Sequence, residues 1–177
     1  DKKKVRKQIG MLFQGSALFD SLTVEENVAF PLRMFTKMSE VEVIERVNFC
    51  LNRVNILNKN SLYPSEISGG MQKRVAIARA ISMKPKYLFC DEPNSGLDPV
   101  TAIVIDELIQ ELTKEYQMTT IVITHDMNSV LEIGENILFI DGGVKMWEGN
   151  KEEILDVKVK ELYDFVYVSK FLQKMKK

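Results

Sequence analysis

The spacing of apolar positions changes along the chain, and each change marks an element. "VRKQIGMLFQ" (5–14) reads as a strand ending at Gln14, and "GSALFDS" as the loop after it. Thr23 with Glu26, and Ser39 with Glu42, have the spacing at which a hydroxyl and a carboxylate cap a helix start reciprocally. In the second of these helices Val43, Val47, Leu51 and Val54 recur at helical intervals. Pro31 is expected to kink or end the first, because it lacks an N–H and crowds the preceding turn. Residues 21–66 thus read as all-helical. From residue 69 the pattern alternates. A helix over about 70–83 leads to "YLFC" (87–90), a short apolar run of the kind a buried parallel strand shows. Pro99 opens the next helix, with Ile105, Leu108, Ile109 and Leu112 on its inner face, and "TTIVIT" (119–124) is a second buried strand. A short helix follows, and "NILFI", Asp141-Gly142-Gly143 and "VKMWEG" form a hairpin. Strands alternating with helices predict an α/β layer architecture with a mainly parallel sheet, into which the helical stretch is inserted.

Composition narrows the function classes. A length of 177 residues, 45% hydrophobic and 28% charged, can bury one sizeable core. A net charge of −1 gives no electrostatic case for a nucleic-acid partner, and the basic opening "DKKKVRK" reads as a solvated margin. Cys50 and Cys90 lie in apolar patterns without a CxxC partner, so neither a disulfide framework nor a zinc site is expected, which suits a reducing compartment. No apolar run reaches the roughly 20 residues of a membrane-spanning helix. The first residue is Asp, so the chain is expected to begin partway through a longer protein.

The candidate chemistry gathers at strand ends. Asp91 and Glu92 follow "YLFC" at its carboxyl end, the edge where open α/β sheets bind ligands. One acid there can hold Mg²⁺ through its water shell, and the other can polarise a water. An acidic turn capping a helix is the plainer account. His125, the sole histidine, leaves the end of the next strand and could donate to a phosphate oxygen; a structural histidine is the alternative. Gln14 ends an earlier strand, and its amide can reach metal or water, though a polar strand end needs no ligand. In "ISGGMQKRVAIARA" (67–80), Ser68, Gly69 and Gly70 offer a hydroxyl and unpaired N–H groups at a positive helix end; a glycine-rich turn with a serine cap is the bland reading. The chain contains no G-x-x-x-x-G-K-[ST] phosphate loop.

Gln14, "ISGGM", "YLFCDEP", "SGLD" and "ITHD", in that order over about residues 9–150, resemble the ATP-binding-cassette (ABC) ATPases. They match that family's Q-loop, signature, Walker B, D-loop and switch-histidine segments. The resemblance implies a P-loop NTPase (RecA-like) cassette with a mainly parallel sheet and an inserted helical subdomain, lacking the first strand, P-loop and helix. Its parts would be residues 1–20 with 67–150 (ATPase core), 21–66 (helical subdomain) and 151–177 (helical tail). It implies ATP and Mg²⁺ as cofactors, with Glu92 and His125 catalytic and Asp91 and Gln14 toward the metal. Gln14, Ser68, Gly69, Gly70, Met71 and Asp98 would face nucleotide. Two cassettes pair head to tail in that family, so the helix beginning at Ser68 would read the γ-phosphate held by a partner, and Asp98 would lie at the shared interface. Without a P-loop, this chain alone is expected to bind MgATP poorly and to hydrolyse it negligibly.

"GMLFQGSALFDSLTVEENVAFPLR" and the methionine of "SGGM" are similar to the Mla-type phospholipid-transport cassettes, although "QGSALF" stands where "QSGALF" is usual, and Asn94 where Thr is common. That branch implies a homodimer of cassettes, an integral membrane permease, an MCE-domain lipid-binding partner, no nucleic acid, and a place at the cytoplasmic face of the bacterial inner membrane. An ABC ATPase for another cargo, such as amino acids, is the alternative, as is a non-catalytic half supplying signature and D-loop surfaces. Phe19, Phe30 and Leu32 are candidates for permease contact, with helical-subdomain core as the other account. In the tail, Leu155, Val159, Leu162, Phe165, Val166 and Phe171 form an apolar stripe before Lys174, Lys176 and Lys177.

Overall fold

The structure is a computed structural model and describes residues 2–167. By contacts the chain divides into two units, Asp1–Thr124 and His125–Lys177. This division does not coincide with the partition by motif into 1–20 with 67–150, 21–66 and 151–177.

In the first unit, helix α1 (Lys2–Arg6) precedes strand β1 (Ile9–Leu12). The expected strand over 5–14 is therefore shorter at both ends. Pairing limits it: β1 opens at Ile9 opposite Tyr87, where strand β2 (Tyr87–Asp91) itself begins. Helix α2 (Val24–Phe35) and helix α3 (Glu40–Arg53) each carry the reciprocal cap read from the sequence, Thr23 with Glu26 and Ser39 with Glu42. Pro31 does not end α2, which continues to Phe35. The face bearing Val28, Ala29 and Leu32 is buried in the core, and that burial outweighs one missing backbone bond.

Helix α4 (Gly69–Ile81) and helix α5 (Pro99–Tyr116) complete the core with strand β3 (Thr119–Ile123). The sheet runs β1-β2-β3 and is parallel throughout. Val43, Val47 and Leu51 of α3 with its C-cap Val54, and Ile105, Leu108, Ile109 and Leu112 of α5, all lie in one hydrophobic core with α4. At Gly10 a Cβ would stand 2.5 Å from the Ala80 carbonyl oxygen, so only glycine lets β1 approach α4 this closely. Among the described residues the sheet buries one face. Leu12, Leu88 and Cys90 point into the core, whereas Ile9, Met11, Tyr87, Ile121 and Ile123 are exposed, Ile123 by 55%. The expectation of a fully buried strand at 119–124 is corrected accordingly: β3 alternates, with its exposed residues on the open face.

In the second unit, helix α6 (Met127–Ile133) leads to strands β4 (Ile137–Asp141) and β5 (Val144–Gly149), paired antiparallel. Gly142 and Gly143 both have positive φ, 54° and 78°, as the tight hairpin turn requires. A 3₁₀ turn (Glu153–Asp156) and helix α7 (Lys160–Val166) follow. Ile154, Val157, Leu162, Val166 and Tyr167 are buried in this unit's own core, while Leu155 and Phe165 of the expected stripe are exposed. Phe171, Lys174, Lys176 and Lys177 lie outside the described residues.

Candidate functional site

Strands β1 and β2 are parallel neighbours in register from Ile9–Tyr87 to Leu12–Cys90, so their carboxyl ends emerge side by side. Gln14 lies two residues past the end of β1, and its Nε2 donates to Ser95 Oγ at 3.3 Å. Asp91 closes β2 and Glu92 follows it. Glu92 is held in the left-handed region, φ 46°, and its N–H donates to the Ile123 carbonyl of β3 at 2.9 Å. A non-glycine residue there is strained, and such strain concentrates at functional sites. Gln14, Asp91 and Glu92 are thus brought to one edge.

Helix α4 reaches that edge through a residue the sequence reading passed over. The Lys73 ammonium donates to the backbone carbonyls of Gln14 and Glu92, the latter at 3.4 Å. Burial pushes the Lys73 pKa down, partly offset by the negative charges of Asp91 and Glu92. One face further along α4, Arg79 donates from both terminal nitrogens to the Ser16 and Ala17 carbonyls at 2.7 Å each. Both of these loop residues have positive φ, 64° and 46°. Lys73 was hidden because lysine in a helix normally signals a solvated face, and its only clue was its place on the apolar side of α4.

The amino ends of α4 and α5 form a second group. Ser68 caps α4 by accepting from the Met71 N–H at 3.3 Å, while Ser68 and Gly69 are exposed. Asp98 caps α5, accepting from the N–H groups of Val100 and Thr101 at 3.1 and 3.0 Å and from Thr101 Oγ1. Those bonds, led by the Thr101 hydroxyl, hold the Asp98 carboxyl below the usual range. A Cβ on Gly70 would stand 2.9 Å from Thr101 Cγ2, so the two helix starts abut. The Met71 side chain packs on the core. Leu32 is core as well, whereas Phe19 is exposed, packs at a 48° tilt against Phe30 with 4.7 Å between centroids, and lies 5.9 Å from the Arg79 guanidinium. His125 stands two residues past β3, at the first position of the second unit.

The donor set fits part of a nucleotide site. Gln14 and Asp91 are hard oxygen donors at one edge, and Mg²⁺ bridging a phosphate needs only one or two protein ligands. Among the described residues no three His, Cys, Asp or Glu side chains converge as a metal cage. The chain's own sequence offers no glycine-rich cradle for a triphosphate.

Among the described residues no helix is long and apolar enough to cross a membrane. A family model described as ABC transporter matches residues 1–95. The chain is 45% identical over 140 residues to the methionine import ATP-binding protein MetN of Clostridium tetani, covering 79% of this chain and 44% of that protein. It is 39% identical over 183 residues to the corresponding protein of Campylobacter jejuni, covering 96% and 54%. The chain spans about half the length of the curated relatives it matches. Among solved structures it resembles cbiO1 from Clostridium perfringens, part of the ABC transporter complex cbiONQ, with TM-score 0.80, 32% identity, and 98% and 69% coverage. It also resembles the ATP-binding cassette MJ0796, dimeric and bound to ADP and Pi, with TM-score 0.76, 35% identity, and 85% and 66% coverage. These relatives lend no support to the phospholipid branch or to an MCE-domain partner; methionine importers fit the amino-acid alternative better. The fold is that of the P-loop NTPase cassettes, and the chain belongs to the ABC transporter family, as part of its ATP-binding domain.

Proposed function

We propose that this chain is the signature- and Walker B-bearing part of the ATPase subunit of an amino-acid importer, with methionine the first cargo to test. The observation that carries the reading is the side-by-side emergence of Gln14, Asp91 and Glu92 from adjacent parallel strands. Glu92 polarises the attacking water, and Asp91 holds the Mg²⁺ water shell. Gln14 links that shell to the loop running toward Phe19, and His125 donates to the γ-phosphate. Bound Mg²⁺ neutralises developing phosphate charge. Ser68, Gly69 and Gly70 present the exposed start of α4 to the γ-phosphate on a second cassette, and Asp98 lies at that shared interface. Met71 contributes by holding the Ser68 hydroxyl with its N–H and by packing on the core.

The reading includes a head-to-tail homodimer, an integral membrane permease, and a location at the cytoplasmic face of the inner membrane. These 177 residues contain no G-x-x-x-x-G-K-[ST] segment, so the reading expects the chain by itself not to turn over ATP. Calorimetric titration of MgATP into the 177-residue chain should give no binding, and micromolar affinity would count against that partition. In the intact cassette, Glu92→Gln should trap an ATP-bound dimer; unchanged turnover would remove Glu92 from its role. A second reading, phospholipid cargo, draws on Met71 and "SALFD". Stimulation of the reconstituted transporter's ATPase by methionine, and not by phospholipid, decides between them.

A further inference from the structure

Lys73 is a buried cation, 4% exposed, on the apolar side of α4. An apolar residue would fill that position without the cost of desolvating an ammonium. The ammonium instead donates to two backbone carbonyls on separate strand ends, those of Gln14 after β1 and Glu92 after β2. Glu92 is thereby held on both sides. Its N–H donates to Ile123 and its carbonyl accepts from Lys73, while its φ stays at 46°. With both flanking peptides fixed, the direction of its Cα–Cβ bond is fixed too. Lys73 stands one helical turn after Gly69, so the same residue refers both strand ends to the exposed start of α4.

We propose that Lys73 is a positioning residue, which aims the Glu92 carboxylate and the Gln14 turn and ties both to the amino end of the signature helix. The inference rests on the ATPase reading above. When the start of α4 meets a partner's nucleotide, its displacement reaches Glu92 and Gln14 through one rigid contact.

The test uses the full-length cassette containing this segment, as wild type, Lys73→Met and Lys73→Arg. Amide hydrogen exchange is read on peptides covering 12–18 and 90–96, with peptides of α2 and α3 as internal controls. Lys73→Met should speed exchange in the first two by roughly tenfold and leave the controls unchanged. Its kcat should fall by roughly 10- to 100-fold, with a smaller rise in KM for MgATP, because Glu92 acts on the attacking water while Gln14 is only one of the groups on the metal's water shell. Lys73→Arg, which keeps a cationic donor, should restore most of both. Should the Met variant not fold, Lys73→Gln, a neutral donor, replaces it in the same comparison. Unchanged exchange and kcat in the neutral variant overturn the proposal, as does faster exchange everywhere. A wild-type cassette without ATP turnover would instead remove the ATPase reading, a failure visible before any variant is made.

Discussion

The Arg79 contact with the loop after β1 offers a test that contact removal alone could not give. Arg79 donates at 2.7 Å to the Ser16 and Ala17 carbonyls, and both residues sit at positive φ. Hydrogen bonds from a charged donor are worth about 1.5–3 kcal/mol each. Ala17 is exposed, so water replaces part of the loss, and about 3 kcal/mol is a fair total for the pair. Arg79→Met also frees the loop, returning about 1 kcal/mol of left-handed strain at each residue. The net destabilisation should therefore be only about 1 kcal/mol.

The diagnostic quantity is the coupling. In the wild type, Ala17→Gly relieves about 1 kcal/mol of strain and loses about 0.5 kcal/mol to the greater freedom of the unfolded chain. It should thus stabilise by about 0.5 kcal/mol. In Arg79→Met the loop has already relaxed, so the same substitution should destabilise by about 0.5 kcal/mol, a coupling of about 1 kcal/mol. Urea unfolding of the four variants, followed by far-ultraviolet circular dichroism, measures it. A coupling below about 0.3 kcal/mol would refute the claim that Arg79 holds the strain in place.

Three further outcomes are expected. Gln117 ends α5 in the left-handed region, φ 51°, and is exposed, so Gln117→Gly should stabilise by about 0.5–1 kcal/mol in urea unfolding. Asn27 is fully buried; its amide donates to the Phe19, Leu22 and Thr23 carbonyls and accepts from the Phe19 N–H at 2.8 Å, so Asn27→Ala should cost about 3 kcal/mol by the same assay. Burial raises the Cys50 thiol from 9.0 to about 11 and that of Cys90 to about 12. A raised folded value means stability is whole below the unfolded pKa and is lost as pH climbs above it, so the urea midpoint should fall from pH 9 toward 11, and less steeply in Cys50→Ala.

Much of this fold was legible because it follows local rules. Each capping box and each apolar stripe in α3 and α5 is a short-range pattern, and each appears where expected. The misreadings came where a distant partner decides. Residues 5–8 looked strand-like, but the ladder with β2 begins at Ile9, and of these four only Gln8 bonds across, its carbonyl accepting from the Lys86 and Tyr87 N–H groups. Pro31 looked like a breaker, but the buried face on either side carries the helix through it. At the site, the strand-end groups Gln14, Asp91 and Glu92 were visible as motifs. Their fixings were not, since Lys73 and Arg79 act on backbone carbonyls 19 to 63 residues away in sequence, and carbonyls leave no trace in the residue types.

Strain and tether coincide at this edge. Ser16 and Ala17 after β1 and Glu92 after β2 are held at positive φ, and the carbonyl of each accepts from a cation of α4. The loop order sharpens the point. The loop reads "QGSALF", with glycine at position 15 and serine at position 16. Position 16 is the one with φ 64°, and Gly15 is not among the residues at positive φ. A Cβ on Gly15 would meet nothing within 4 Å, so packing does not demand glycine there. This order puts the restricted residue on the strained site and the permissive one beside it. A loop so built relaxes unless it is gripped, and Arg79 supplies the grip at the same two carbonyls. Helix α4 therefore does more than present its amino end: through Arg79 and Lys73 it sets the backbone on which Gln14 and Glu92 depend.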